Sequence, residues 1–213
     1  YIDGVREARK VLVEQLTGST VTIAKDVKIQ VEFNPARVAS YRLIGYENRV
    51  MAARDFRDDR KDAGEIGAGH RVTALYEVQL VDDGGAGTTA EEPLKYQRRP
   101  ERPAEPRVDA ATGRELLTVK LRWKRPDGDV STQDEIPFAE RGGAFETASA
   151  DLRFAAAVAA FGMILRGSAE KAEATLPLAA TIAGGSLGPD VNGYRAEFLD
   201  LVRKAEALRS GGR

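Results

Sequence analysis

The sequence predicts an α+β protein: an antiparallel β-sandwich from about Val21 to Phe138, packed by C-terminal helices. Three observations carry this reading. Apolar and polar residues alternate with period two in several runs between Val27 and Phe138, the pattern of strands with one buried and one wet face. After Gly142-Gly143 the period changes to that of a helix. The order is therefore helix, strands, helices, with no repeat.

The elements follow in turn. Ile2, Val5, Val11, Leu12 and Leu16 form a helical stripe that Gly18 ends. Val27, Ile29, Val31 and Phe33 alternate with Lys28, Gln30 and Glu32 until Asn34-Pro35 stops the strand. A second strand is expected over Ser40 to Glu47 and a third over Arg71 to Val81, with Val72, Ala74, Tyr76, Val78 and Leu80 on one face. The clearest is Glu115 to Lys124, where Leu117, Val119, Leu121 and Trp123 oppose Thr118, Lys120, Arg122 and Lys124. Pro126-Asp127-Gly128-Asp129 is a turn, and Val130 to Phe138 the returning strand. Helices are expected over Phe145 to Leu165 (capped by Thr147 or Ser149), around Leu176 to Ile182, and over Gly193 to Leu208. Their expected stripes are Leu152, Phe154, Val158, Phe161 and Leu165 in the first, and Tyr194, Phe198, Leu201, Val202, Ala205 and Leu208 in the last.

Composition bounds the function. In 213 residues, 32 Lys and Arg face 33 Asp and Glu, which excludes the broad basic face of a dedicated nucleic-acid binder. The longest apolar run, Phe154 to Leu165, is 12 residues and too short to span a bilayer. No cysteine is present, so thiolate zinc sites and thiol nucleophiles are excluded.

His70 is the single histidine, and a triad or transition-metal site would have to use it. No Gly-x-Ser-x-Gly elbow accompanies it, and a structural or surface role is preferred. Asp55, Asp58, Asp59, Asp62 and Glu65 cluster without the order of a calcium loop, and read as a solvated charged loop. The glycines from Gly64 to Gly69 read as tight turns feeding a strand. Lys120, Arg122 and Lys124 form a basic stripe to which Arg98 and Arg99 add charge, a candidate surface for an acidic partner. The plainer reading is a solvated face balanced by Asp127, Asp129, Asp134 and Glu135.

The strings "EARKVLVEQL", "TIAKDVKIQVEFNPARVASYRLIGYENR", "DAGEIGAGHRVTALYEV" and "LRFAAAVAAFGMILRGS" resemble the C-terminal region of bacterial proteins with a von Willebrand factor type A domain. The resemblance implies that residues 1–18 correspond to the final helix of a truncated type A domain. Residues 19–213 would then form the domain of unknown function behind it. It further implies a non-enzymatic accessory or protein-interaction role, in a cell-envelope protein that is periplasmic or attached to the outer membrane as a lipoprotein. The type A motif Asp-x-Ser-x-Ser does not occur here, so the divalent cation belongs to the missing domain and no cofactor is expected in this chain. The chain starts at Tyr1 in a helical pattern, which suggests a fragment; the expected partners are the type A domain and a second copy meeting through the N-terminal helix. The rival readings are a hydrolase pairing His70 with a carboxylate of the 55–65 loop, and a structural spacer.

Asp82 to Gly113 carries no apolar period and several arginines, and reads as a mobile hairpin extension. Brief trypsin treatment should cut there first and leave two fragments that stay associated on gel filtration. Early cuts inside Glu115 to Lys124 would overturn the assignment of strand and loop.

Overall fold

The computed structural model describes residues 2, 4–14, 21–45, 51–61, 63–81, 112–140 and 142–211. The loop from Asp82 to 111 and the end of the first predicted helix, Leu16 included, lie outside the described residues. The chain divides into two compact units, residues 1–42, 46–72 and 76–140, and residues 43–45, 73–75 and 141–213.

The first unit holds six strands: β1 (Thr22–Phe33), β2 (Val38–Ile44), β3 (Gly64–Gly67), β4 (Leu75–Leu80), β5 (Glu115–Lys124) and β6 (Ser131–Ala139). Four form one antiparallel sheet in the order β3-β1-β5-β6, and β2 with β4 form a second. In the register of the large sheet Val31 lies opposite Val119, which lies opposite Ile136. Phe33 opposes Leu117, which opposes Phe138. These residues share one face, because directly opposed side chains point the same way. In the small sheet Ser40 meets Gln79 and Arg42 meets Glu77, pairings that run antiparallel.

The chain changes sheet at Asn34-Pro35. The Asn34 carbonyl accepts from Arg37 and Val38 N–H, and its amide donates to the Glu115 carbonyl at 2.8 Å, pinning the turn to β5. The two sheets face each other through Phe33, which stacks on Tyr41 at 4.2 Å and meets Tyr76 edge-on at 5.3 Å. Burial, with Tyr41 beside it, pushes the Tyr76 phenol up. The sequence therefore places β5 to the residue and β6 to within one. It overextends the third strand, of which Arg71 to Ala74 lie outside any strand and are exposed. It misses β3, whose glycines read only as turns.

Two strands are needed to cover four, and they do not. Ile29, Ile136 and Phe138 remain 55%, 53% and 51% exposed on the face that Phe33 shares. β6 is also an edge strand, with Pro137 opposite Thr118.

The N-terminal helix starts later than its periodicity suggests, at Val5 and not at Ile2. α1 (Val5–Arg9) passes into a π-helical turn over Lys10–Glu14. Ile2, Val5 and Leu12 of the expected stripe are exposed.

The second unit is built from α2 (Ala150–Leu165), α3 (Leu176–Gly184) and α4 (Tyr194–Gly211). The Ser149 hydroxyl caps α2 by accepting from Leu152 N–H. α2 ends in a left-handed Gly167 (φ 64°), with Gly167 N–H bonded to the Ile164 carbonyl and Ser168 N–H to that of Met163. Thr175 caps α3 in the same manner. Asp190 accepts from the N–H of Ala196 at the start of α4. Burial alone would raise the Asp190 carboxyl; the N–H groups of Ala196, Arg195 and Tyr194 outweigh it and hold it below the usual range.

The core of this unit comprises Ala157, Phe161, Ile164, Leu176, Ala179, Ala183, Leu199 and Val202. Phe198 meets Phe154 and Phe161 edge-on at 5.3 and 5.5 Å. Fully buried alanines at 157, 179 and 183 allow the helices to approach closely. The predicted stripe of α2 is rotated: Ala157 and Ile164 are inside, and Leu152, Val158 and Leu165 are exposed. In α4 the expected Val202 is buried, but Leu201 and Leu208 are exposed.

Ala172 precedes α3 at φ 47°, ψ −127°, a region that glycine alone adopts without strain. Ala172→Gly should therefore raise stability, by about 1 kcal/mol after the entropy cost of glycine. A urea midpoint at or below that of the parent chain would show the position to be unstrained.

Candidate functional site

Alternation in a strand says that two faces differ, not which one is covered. Here the polar face is covered as well. The register sets Lys28 opposite Arg122 and Gln30 opposite Lys120, with Lys25 opposite Lys124 across a bulge. Asp26 sits in that bulge at φ 54°, a left-handed conformation that aspartate tolerates better than most residues. Asp26 and Lys28, two apart in the strand, share this face and are only 8% and 1% exposed, and the bulge sets both Lys25 and Asp26 against Lys124. The Asp26 carboxylate lies 3.4 Å from Lys28 Nζ and 2.9 Å from Lys124 Nζ. Its Oδ1 is buried and makes no hydrogen bond of good geometry, so its contact with Lys28 is Coulombic. Lys28 Nζ donates instead to the Asp58 carbonyl at 2.7 Å. Removing one member of such a buried set leaves an uncompensated charge, at a cost of about 3–5 kcal/mol.

The Asp58 carbonyl belongs to a strap, residues 51–61, that lies against β1. Its 3-10 turn, Ala53–Arg57, carries Phe56, which is buried. Beyond the turn, the Asp59 carboxylate accepts from Arg122 Nε and from its terminal amine nitrogen at 2.9–3.2 Å, and from Ser131 Oγ at 2.6 Å. Lys124 Nζ approaches the Asp59 carbonyl at 3.4 Å. Hydrogen bonds from Ser131 and Arg122 hold the Asp59 carboxyl below the usual range. Arg60 folds back on Asp58 and brings its carboxyl down to about 2. Lys124 is held above its ordinary value, chiefly by its hydrogen bond with Asp26. Beside the strap lies an open cleft of about 260 Å³, lined by Lys25, Asp26, Asp59, Arg60, Glu65, Lys124 and Asp129.

The basic stripe is thus real in its geometry and different in its surroundings. Lys120, Arg122 and Lys124 share one face as their spacing requires, but their side chains are only 18%, 19% and 14% exposed. Their counter-charges are Glu32, Asp59 and Asp26, not the four acids nearest in sequence. Of those four, Asp129 meets Lys25 and Asp134 accepts from Trp123 Nε1. Arg98 and Arg99 lie outside the described residues.

The 55–65 segment is largely exposed, as expected of a charged loop, but its described acids are paired. Asp55, Asp58 and Asp59 face Lys61, Arg60 and Arg122, and Glu65 accepts from Thr22. Asp62 lies outside the described residues. Among the described residues no group of three or more acids or histidines is placed to hold a metal ion. His70 is exposed, on a turn closed by its N–H and the Gly67 carbonyl after a left-handed Gly69. No described side chain bonds its imidazole, and the carboxylates of the strap are turned to cations instead. Asp26, Lys28 and Ser131 escape a reading by sequence, since it is the pairing of β1 with β5 and the closure of the strap that join them to Lys124 and Asp59.

Antiparallel sheets joined to a helical C-terminal unit define a mixed α+β domain with no recognisable catalytic constellation among its described residues. The chain belongs to the family described as the C-terminal region of the uncharacterized protein YfbK, which it matches over residues 18–208. It is 39% identical over 208 residues to the uncharacterized protein YfbK of Escherichia coli K12, covering 98% of this chain and 34% of that protein. The chain thus spans about a third of the length of that curated relative. No solved structure matches it.

Because the Asp58 and Asp59 carboxyls are depressed in the folded state, their stabilisation is full above the ordinary value of 3.8. It is lost as the pH falls through the folded values, about 2 for Asp58. Urea midpoints of the parent chain and Asp59→Asn should differ at neutral pH and converge in acid. A gap that does not narrow as the pH is lowered from 3.8 would show that ionised Asp59 does not hold the strap.

Proposed function

We propose that this chain is a non-enzymatic accessory module, attached to a type A domain in a longer cell-envelope protein, which works by protein contact. The observation that carries the reading is the uncovered apolar face of the large sheet. Ile29 of β1 and Ile136 and Phe138 of β6 lie in adjacent rows on either side of β5 and are each more than half exposed. Contiguous apolar surface of this kind favours association. The occupant is the remainder of the same longer polypeptide: the matched region is a third of its relative, which leaves ample chain to cover the face. The engagement of the strap carboxylates by cations, and the exposure of His70, weigh against the hydrolase reading.

The test separates the two parts. A tagged N-terminal portion of the full-length protein, type A domain included, is co-expressed with this chain and captured. The chain should co-purify; Phe138→Glu should lower capture by about tenfold or more, as for a central interface residue, while His70→Ala should change it little. Equal capture of a folded Phe138→Glu chain, or loss with His70→Ala, would defeat the proposal.

A further inference from the structure

We infer that Arg122, Ser131 and Lys124 form a receptor for a carboxylate of an acidic polypeptide segment, which Asp59 of the strap occupies when no partner is bound. The inference rests on the reading of this chain as an interaction module. Five cations share the polar face of the sheet, and one of them, Lys25, is met by Asp129 of the turn between β5 and β6. Lys28 and Lys124 are met by Asp26, and Lys120 by Glu32, all from the neighbouring strand β1. Arg122 is met by a carboxylate of the strap, outside the sheet.

Three features suit this position to exchange. The guanidinium presents two nitrogens to Asp59 and the Ser131 hydroxyl adds a third donor, a constellation that accepts any carboxylate of similar approach. The cations are largely desolvated, whereas the Asp59 side chain is 46% exposed and within reach of an incoming acid. The open cleft reaches Asp59, Arg60 and Lys124 and leaves space beside the resident carboxylate, although its wall also holds Lys25 and the carboxylates of Asp26, Glu65 and Asp129. Exchange requires only that the Asp59 side chain rotate outward. The strap itself stays held by Phe56 and by the bond from Lys28 to the Asp58 carbonyl.

Fluorescence anisotropy of a labelled hexaglutamate peptide, titrated with the 213-residue chain at low salt, tests this. Asp59→Ala should bind the peptide at least about tenfold more tightly than the parent chain, and adding Arg122→Gln should abolish the gain. Should Asp59→Ala fail to fold, Asp59→Ser keeps a hydroxyl for Ser131 without the charge and should show the same gain. Parent-like affinity in a folded Asp59 variant, or a gain that survives Arg122→Gln, would overturn the inference. The uncovered apolar patch lies on the opposite face of the sheet, so the capture experiment with Phe138→Glu succeeds or fails independently.

Discussion

The sheet unit depends on one buried carboxylate. Asp26 lies between Lys28 and Lys124, and without it two ammonium groups would face each other in a desolvated position. The strap can then close over that face, because Lys28 is left with a proton to give to the Asp58 carbonyl. The left-handed backbone at Asp26 is part of the same solution. It makes the bulge in which Lys25 and Asp26 both come against Lys124. Backbone strain, charge burial and loop attachment are thus coupled at one residue, and a change there is felt in all three.

Much of the architecture is legible in the amino-acid order. Strict alternation locates β5 and β6 nearly to the residue, and Asn34-Pro35 marks the change of sheet. Serine and glycine bracket α2 where capping chemistry requires them. The α+β class follows from these signals alone. What alternation cannot supply is the identity of the covered face. The apolar side of the large sheet was expected inside and is partly open, while Lys28 on its polar side is among the most buried residues.

The helices fail in a related way. Leu152, Val158 and Leu165 stand out as a stripe because they are large, but the buried side of α2 runs through Ala157, Phe161 and Ile164. Alanine is nearly silent in a hydropathy reading, yet it decides how closely helices approach. The site itself was half visible. The spacing of Lys120, Arg122 and Lys124 put them on one face, but their counter-charges come from 63 to 98 positions away, on the strap or on a paired strand, beyond the reach of local pattern.

Pro137 gives the open face a particular character. Proline has no N–H to offer, and it stands on the last strand of the sheet beside Asp134 and Glu135. A foreign strand seeking to extend the sheet meets a missing donor and two negative charges. The protein can therefore leave apolar side chains such as Phe138 uncovered without inviting copies to stack edge to edge into a fibre. The rim of the sheet, where any extended backbone could pair, is thus guarded, while the flat of the sheet keeps its apolar side chains open.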